Sequence, residues 1–382
     1  MGRTLVITND FPPRPGGIQT FGYEIVRRFE PDSVTVLTSD WDGAAEFDAA
    51  QDFKIIRAQT QTLLPSKSTL AMAREIVVAE NITRVLFGAA APLGLLASPL
   101  RKLGVQNIVG MTQGHETGWA MTPGMRQALR KIGNDTDHLT YISEYTHKKI
   151  AKALSPDAAS RMRRIVPGVN VTEFSPANGV VGNQLRADLG WMGRPVIVCV
   201  SRLMARKGQD ELIRALPEVH RTSPKASLII VGEGPYRKDL ESLIKKLRLE
   251  EFVHLTGKVS QTDLSKWYAA GDIFAMPCRT RVGGWDVEGL GIVFLEGSAT
   301  GLPVIVGDSG GAIDAVLDGE TGFLVDGNNT GEIAQRISFL ISNPDVAKQM
   351  GEAGRNWVTQ EWTWDQNFKK LDGLLSGLDF AD

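Results

Sequence analysis

Short runs of β-branched and aliphatic residues alternate with helix-length amphipathic stretches along the whole chain, and the pattern starts afresh at Pro195. Strands buried on both faces read as near-continuous apolar runs, and parallel strands need helical crossovers, so the alternation dictates α/β architecture with parallel sheets. In the first half, strands are expected at 4–8, 33–38, 53–57, 84–87, 106–111, 138–142 and 163–166, with helices near 18–29, 68–80, 91–103, 122–132 and 144–153. The second half repeats the scheme, with strands at 195–201, 227–232, 252–256, 272–277, 302–306 and 322–325. Its helices are expected near 208–221, 235–248, 261–270, 291–300, 311–317, 330–342 and 345–358. A chain of 382 residues exceeds the size at which one hydrophobic core keeps growing, so two Rossmann-like domains in tandem follow. The stretch 168–194, with Pro176, Gly179 and Gly182, reads as the connection between them. The domains are therefore expected at 1–170 and 171–360, with a C-terminal helix over 361–382 packing back on the first. Ligands of open parallel sheets bind beyond the carboxyl ends of the strands, which predicts two sheets facing each other across a cleft.

Composition narrows the class. Hydrophobic residues at 42% and charged residues at 23% exclude disorder, a fibrous repeat and a membrane-embedded chain. No apolar run approaches the ~20 residues that span a bilayer, and the opening run Thr4 to Thr8 is too short for a signal-peptide core. The expected location is the cytoplasm, peripherally at the inner face of the plasma membrane. Cys199 and Cys278 each end an apolar run without metal-ligand spacing and read as buried thiols. The net charge of −2 conceals +4 over residues 1–170 and −6 over the rest, with eleven basic against five acidic groups in 101–170. A basic patch is expected there, and no nucleic-acid partner.

The first strand runs into Asn9 to Gln19, NDFPPRPGGIQ, where Gly16 and Gly17 stand at a helix start. Exposed amides and the positive end of the helix dipole suit an anion there; the same pair also suits an ordinary tight turn. There is no GxGxxG, and the strand read at 33–38 carries no acidic residue at its tip, so a dinucleotide fingerprint is not met. In the second half, VEGLGIVFLEG at 287–297 places Glu288 before a helix and Glu296 within it. Gly289 and Gly291 let backbone approach a ligand closely, and the amides of Gly289, Leu290, Gly291, Ile292 and Val293 suit a diphosphate or sugar hydroxyls. An N-terminal Glu and a solvated mid-helix Glu are the plain alternative. Ser201 to Gly208, SRLMARKG, sets Arg202 and Lys207 at the end of the domain's first strand, where they can neutralise a departing pyrophosphate; a solvated basic loop has the same composition. VGEGP at 231–235, with Gly232, follows the next strand, and Gly257-Lys258-Val259 the third. All four features are expected on one edge of the sheet.

This set, together with Gly301 to Val306 and Ser309-Gly-Gly311, resembles the GT-B retaining glycosyltransferases, specifically the large family of sucrose-synthase and mannosyltransferase type. The resemblance covers the whole chain. Cys278 to Val293 and the opening FPPRPGGIQ resemble the actinobacterial GDP-mannose-dependent phosphatidylinositol mannoside mannosyltransferases. The resemblance implies that Gly16 and Gly17 contact the donor phosphates, Arg202 and Lys207 the diphosphate, Glu296 the ribose and Glu288 the sugar. It also implies that backbone around Lys258 and Val259 reads the base and that His115, in Thr112 to Glu116, lies near the sugar's C6 hydroxyl. By itself a lone His is as readily a packed or surface residue. Where the family has Pro-Glu after Ser309-Gly-Gly-Ala312, this chain has Ile313-Asp314; Trp285 and Val282 are bulkier than the family's usual residues in the loop before Glu288.

The implied reaction is a same-face displacement through an oxocarbenium-like transition state. The donor's own phosphate accepts the acceptor proton, and Arg202 and Lys207 stabilise the departing diphosphate with no metal and no other cofactor. Catalysis is then mostly positioning, with domain closure excluding water. The implied acceptor is a phosphatidylinositol mannoside on an anionic membrane. The helix around 122–132 pairs apolar Met121, Met125, Leu129 and Ile132 with Arg126, Arg130 and Lys131 as a membrane contact, or is simply a packed helix with a basic face. The rival readings are a UDP-sugar transferase with a soluble acceptor, a nucleotide-sugar 2-epimerase that needs no acceptor, and a non-catalytic nucleotide-sugar binder.

Overall fold

The computed structural model describes residues 2–284 and 286–380, so Trp285 lies outside the described residues. The chain forms two compact units, Met1–Pro167 joined by Trp364–Asp382, and Gly168–Thr363.

The first unit holds a seven-stranded sheet of β1 (Arg3–Thr8), β2 (Val34–Ser39), β3 (Lys54–Ala58), β4 (Ile82–Phe87), β5 (Asn107–Met111), β6 (His138–Tyr141) and β7 (Arg163–Arg164). Its order is β3-β2-β1-β4-β5-β6-β7, with every pair parallel. The apolar runs are what make this possible: Leu5, Ile7, Leu37, Val85, Phe87 and Ile108 have no exposed surface and share a core with Ala73, Ile76 and Val77 of the helix Lys67–Ala79. That helix starts where the Ser66 side chain accepts the Thr69 N–H, one of the donors a helix start otherwise leaves unpaired. Ser143 and Thr146 form a reciprocal capping box at the helix Glu144–Ala151.

The second unit holds six parallel strands, β8 (Val196–Val200), β9 (Ser227–Val231), β10 (Val253–Gly257), β11 (Ile273–Met276), β12 (Val304–Gly307) and β13 (Gly322–Val325), in the order β10-β9-β8-β11-β12-β13. In both sheets the strand order reverses beside the unit's first strand, between β1 and β4 and between β8 and β11. At such a switch point the loops leaving neighbouring strands diverge to opposite faces and open a crevice at the carboxyl edge.

After the second unit the chain returns to the first as the helix Trp364–Leu375. Trp364 packs on Phe21 with ring centroids 5.7 Å apart and Phe368 on Phe29 at 4.8 Å. The buried Arg84 donates to Asp372 at 2.9 Å and to Ser376 Oγ at 3.0 Å. Glu361, expected in this helix, closes the preceding helix Pro344–Glu361 instead. Among the described residues no helix is long and apolar enough to cross a membrane.

The structure corrects several local readings. The stretch taken as a connection, 168–194, contains the helix Gly179–Asp188. Gly182, expected within that connection, is buried in the helix, and a Cβ there would sit 2.1 Å from the Ala269 carbonyl oxygen, so the glycine is where this helix approaches Gln261–Ala269. The helices expected at 91–103 and 311–317 are a 3-10 turn Leu93–Leu96 followed by Ala97–Arg101, and a single 3-10 turn Ala312–Ala315. β2 runs to Ser39 and Asp40 follows directly, so an acidic residue does stand at its tip; the glycine spacing is what still departs from a dinucleotide fingerprint.

Gly182→Ala gains helix propensity but drives a methyl into fixed backbone. We expect a loss of about 1–3 kcal/mol in thermal or denaturant unfolding; an unchanged or raised midpoint would show that the two helices separate without cost.

Candidate active site

Four loops leave the carboxyl edge of the second sheet and carry the sequence-predicted residues. After β8, the chain makes a 3-10 turn Ala205–Lys207 and reaches Gly208 at φ +75°, where a Cβ would lie 2.0 Å from the Pro277 carbonyl oxygen. Glycine is required there on both counts, and the fit presses the loop of Lys207 against the end of β11. Lys207 is buried and its Nζ lies 2.5 Å from Glu288 Oε2. Arg206, which sequence reasoning passed over, donates from Nη1 to the same oxygen at 2.7 Å and lies 3.1 Å from Asp286 through Nε. Two cations thus converge on one carboxylate oxygen. Burial alone would raise the Glu288 pKa; Lys207 and Arg206 outweigh it and hold the carboxyl below its ordinary 4.5. The Glu288 backbone is fixed too, its N–H donating to Ser309 Oγ at 3.3 Å and its carbonyl accepting from Gly311 N–H at 2.8 Å.

Gly291, at φ +81°, precedes the helix Ile292–Ala299, whose first turn carries no acidic residue. Its initial amides have no carbonyl partner within the helix, which makes the stretch Gly289, Leu290, Gly291, Ile292 and Val293 a place for an anion. Glu296, one turn on, accepts the Tyr268 hydroxyl at 2.6 Å. Burial pushes its pKa up to about 7, against the pull of that hydrogen bond, with Glu173 adding to the rise. Nothing in the sequence marks Tyr268; it reaches Glu296 from the helix Gln261–Ala269.

Arg202 is exposed and its guanidinium enters no ion pair among the described residues. With Ser201, Gly232, Glu233, Gly234, Arg237, Lys258 and Val259 it lines a cavity of about 820 Å³, the size class of a nucleotide site. Gly232 and Gly234 shape it: a Cβ on either would collide with the Ser201 or Leu203 carbonyl at 2.1 or 2.3 Å. The loop before Glu288 carries Val282 at φ +51°, exposed, an unusual conformation for a β-branched residue. Asp314 sits in the 3-10 turn Ala312–Ala315.

The remaining predicted residues are in the first unit. Gly16 and Gly17 follow β1 and open the helix Gly17–Val26, as the sequence implied. His115 follows β5, on the same edge of that sheet, with its side chain 40% exposed. Beside it Glu116 is wholly buried; its Oε2 accepts the Gln113 N–H at 2.9 Å, and His115 Nε2 lies 3.3 Å from Oε1. Burial raises the Glu116 pKa above its ordinary value, against the pull of His115 and of backbone N–H groups. The apolar set expected beside Arg126, Arg130 and Lys131 divides. On the helix Pro123–Asp135, Leu129 and Ile132 are fully buried with Leu139 and Tyr141, and only Met125 on that helix and Met121 before it face outward. Helical period explains the split: the positions facing the core are spoken for by packing. All three basic residues are exposed; Arg126 donates to the Lys152 carbonyl at 2.6 Å and Lys131 pairs with Asp135 at 2.6 Å. The cysteines are fully buried, and burial pushes the Cys199 thiol up to about 12.

A buried carboxylate clamped by cations, a helix start free of acids and a glycine-walled cavity at one sheet edge define a site for a phosphorylated, hydroxyl-rich ligand. Residues 183–357 match the family model described as glycosyl transferases group 1. The chain is 44% identical over 380 residues, 98% of each chain, to the GDP-mannose-dependent alpha-(1-6)-phosphatidylinositol monomannoside mannosyltransferase of Mycolicibacterium smegmatis. It is 41% identical to the Corynebacterium glutamicum GDP-mannose-dependent monoacylated alpha-(1-6)-phosphatidylinositol monomannoside mannosyltransferase, over 98% of this chain and 97% of that one. Its fold is similar to that of Anabaena HepE in complex with UDP, with a TM-score of 0.81, 20% identity and 98% and 100% of the two chains covered. It is also similar to a sucrose-phosphate synthase from Thermosynechococcus elongatus, with a TM-score of 0.74, 20% identity and 98% of both chains covered. The class is thus the α/β GT-B fold. The chain belongs to the group 1 glycosyltransferases, in the branch of these full-length mannosyltransferase relatives.

Glu296 gives the site a measurable signature. Its folded pKa lies above the unfolded 4.5, so the folded state holds a proton that the unfolded state has lost between about 4.5 and 7, and stability falls as pH rises through that window. Glu296→Gln removes the effect. Relative to wild type, the variant should gain on the order of 1–3 kcal/mol in unfolding free energy between pH 5 and pH 8. A difference that stays constant with pH would mean the carboxyl titrates normally.

Proposed function

We propose that this protein transfers mannose from GDP-mannose to a phosphatidylinositol mannoside at a membrane surface, retaining the anomeric configuration. The observation that carries the reading is the Lys207–Glu288–Arg206 cluster at the switch point of the second sheet, in a chain aligned end to end with mannosyltransferases named for that reaction. The second unit binds the donor and the first the acceptor. Arg202, exposed in the lining of the cavity, and Lys207 hold the diphosphate and stabilise the charge that grows on it as the glycosidic bond breaks. Glu288 accepts from sugar hydroxyls and Glu296 from the ribose. Backbone at Lys258 and Val259 contacts the base, the amides of Gly289 to Val293 complete the sugar and phosphate contacts, and Gly16, Gly17 and His115 serve from the first unit. The acceptor hydroxyl loses its proton to the donor's leaving phosphate on the same face, so no enzymic nucleophile is needed. With cations fixed in place, the reaction needs no metal.

Two measurements test the reading. Arg202→Ala should lower turnover by about 10²-fold or more, because an interaction made to the developing charge is lost; unchanged turnover removes Arg202 from the chemistry. Vesicles containing phosphatidylinositol should retain the protein at low salt and release it at high salt, since each exposed basic group near an anionic surface contributes about 1 kcal/mol and is screened within a Debye length. Combined Met121→Ser, Met125→Ser and Arg130→Ser should reduce flotation and leave GDP-mannose affinity unchanged. If that variant floats like the wild type, this surface is not the membrane contact; if a soluble sugar serves equally well as acceptor, the lipid assignment fails.

A further inference from the structure

The first unit contains a buried carboxylate that the proposed chemistry does not use. Glu116 has no exposed surface, and of its two oxygens only Oε2 has a hydrogen bond, from the Gln113 N–H at 2.9 Å. Oε1 is enclosed with no hydrogen-bond partner among the described residues, and the nearest ring nitrogen is His115 Nε2 at 3.3 Å. An enclosed carboxylate oxygen left unpaired is costly, more so when charged, so a group this close that can donate to it is favoured to do so.

The turn around the pair is built to keep it. The Gln113 side chain donates to the Gly88 carbonyl just beyond β4 at 3.0 Å, and Gly114 takes φ +102°. Thr117 Oγ1 then donates to the Gly114 carbonyl at 2.7 Å and Gly118 N–H to the His115 carbonyl at 3.1 Å. With backbone fixed on both sides, His115 is presented at the sheet edge while the residue after it is driven into the core.

We propose that Glu116 is a positioning residue that holds the His115 imidazole in the tautomer protonated on Nε2, leaving Nδ1 as an acceptor for a hydroxyl of the donor sugar. A neutral imidazole has one donor and one acceptor nitrogen, and the partner of one fixes the role of the other. The role needs Glu116 ionised at pH 8, a state that burial opposes and that His115 and the surrounding backbone N–H groups favour; a protonated Glu116 would instead donate to Nε2 and leave the proton on Nδ1. The proposal rests on the reading of His115 as a sugar contact.

Imidazole tautomers are read from 15N–1H correlations of protein labelled at its five histidines, with the His115 signals assigned by their absence in His115→Asn. At pH 8 wild-type His115 should be in the Nε2–H form. In Glu116→Gln the amide oxygen keeps the Gln113 N–H and the amide NH2 faces Nε2, so the proton should move to Nδ1. Turnover should fall by at least about tenfold, with GDP affinity within about twofold of wild type. Wild-type His115 in the Nδ1–H form overturns the proposal without any variant, and so does a Glu116→Gln protein that keeps the wild-type tautomer. Full turnover in His115→Asn would remove the sugar contact on which the proposal rests, and the spectra would still report the Glu116 coupling separately.

Discussion

The carboxyl edge of the second sheet depends on one carboxylate oxygen shared by two cations. Glu288 could not stay ionised in its buried position without Lys207 and Arg206, and the two cations could not lie so close together without Glu288 between them. The node also ties the loop after β8 to the loop after β11 at two further points, because Arg206 reaches Asp286 ahead of Glu288 and accepts the Arg279 N–H through its own carbonyl. An anionic ligand entering beside it meets cations whose positions are already determined. That is the preorganisation electrostatic catalysis requires: charge in place before the bond breaks.

Glu288 and Glu296 have seven residues between them yet live in opposite environments. One sits among cations and has its pKa lowered; the other has its pKa raised to about 7 by burial, against the pull of the Tyr268 hydrogen bond. Hydroxyl groups arriving at the two therefore meet different acceptors. At Glu288 a ligand competes with an existing ion pair, whereas at Glu296 hydroxyls that donate to the carboxyl favour its ionised form. The helix that carries Glu296 follows Gly291, whose left-handed conformation a side chain would strain, so the turn from Glu288 into that helix depends on the glycine.

Much of this was legible in the sequence. Buried parallel strands announce themselves as apolar runs, and the strands β8 to β13 fall where those runs are. So do the glycine turns at 232 and 257 and the Glu-x7-Glu stretch, because a glycine forced by a backbone carbonyl 2 Å away, as at Gly208 and Gly232, leaves a mark that spacing reveals. What was hidden is what only tertiary packing creates. Gly182 looked like a loop residue because the same absence of a side chain serves a turn and a helix crossing. Arg206 stood in plain sight between Arg202 and Lys207 but gained its role from Glu288, some eighty positions away. Tyr268 carries no local pattern at all. The helix carrying Leu129 and Ile132 showed both an apolar and a basic face, and the sequence did not say which apolar residues the core had claimed.

The first unit is discontinuous: the helix bearing Trp364, Phe368 and Asp372 covers Phe21, Phe29 and Arg84, yet follows the whole second unit in the chain. On the ribosome, synthesis runs from the N-terminus, so β1 to β7 emerge long before the segment that shields one side of them. The second unit, made of one uninterrupted stretch, has all its parts available first. Completion of the fold in the cell is thus inverted relative to chain order, and the nascent first sheet must wait with Arg84 lacking its carboxylate partner.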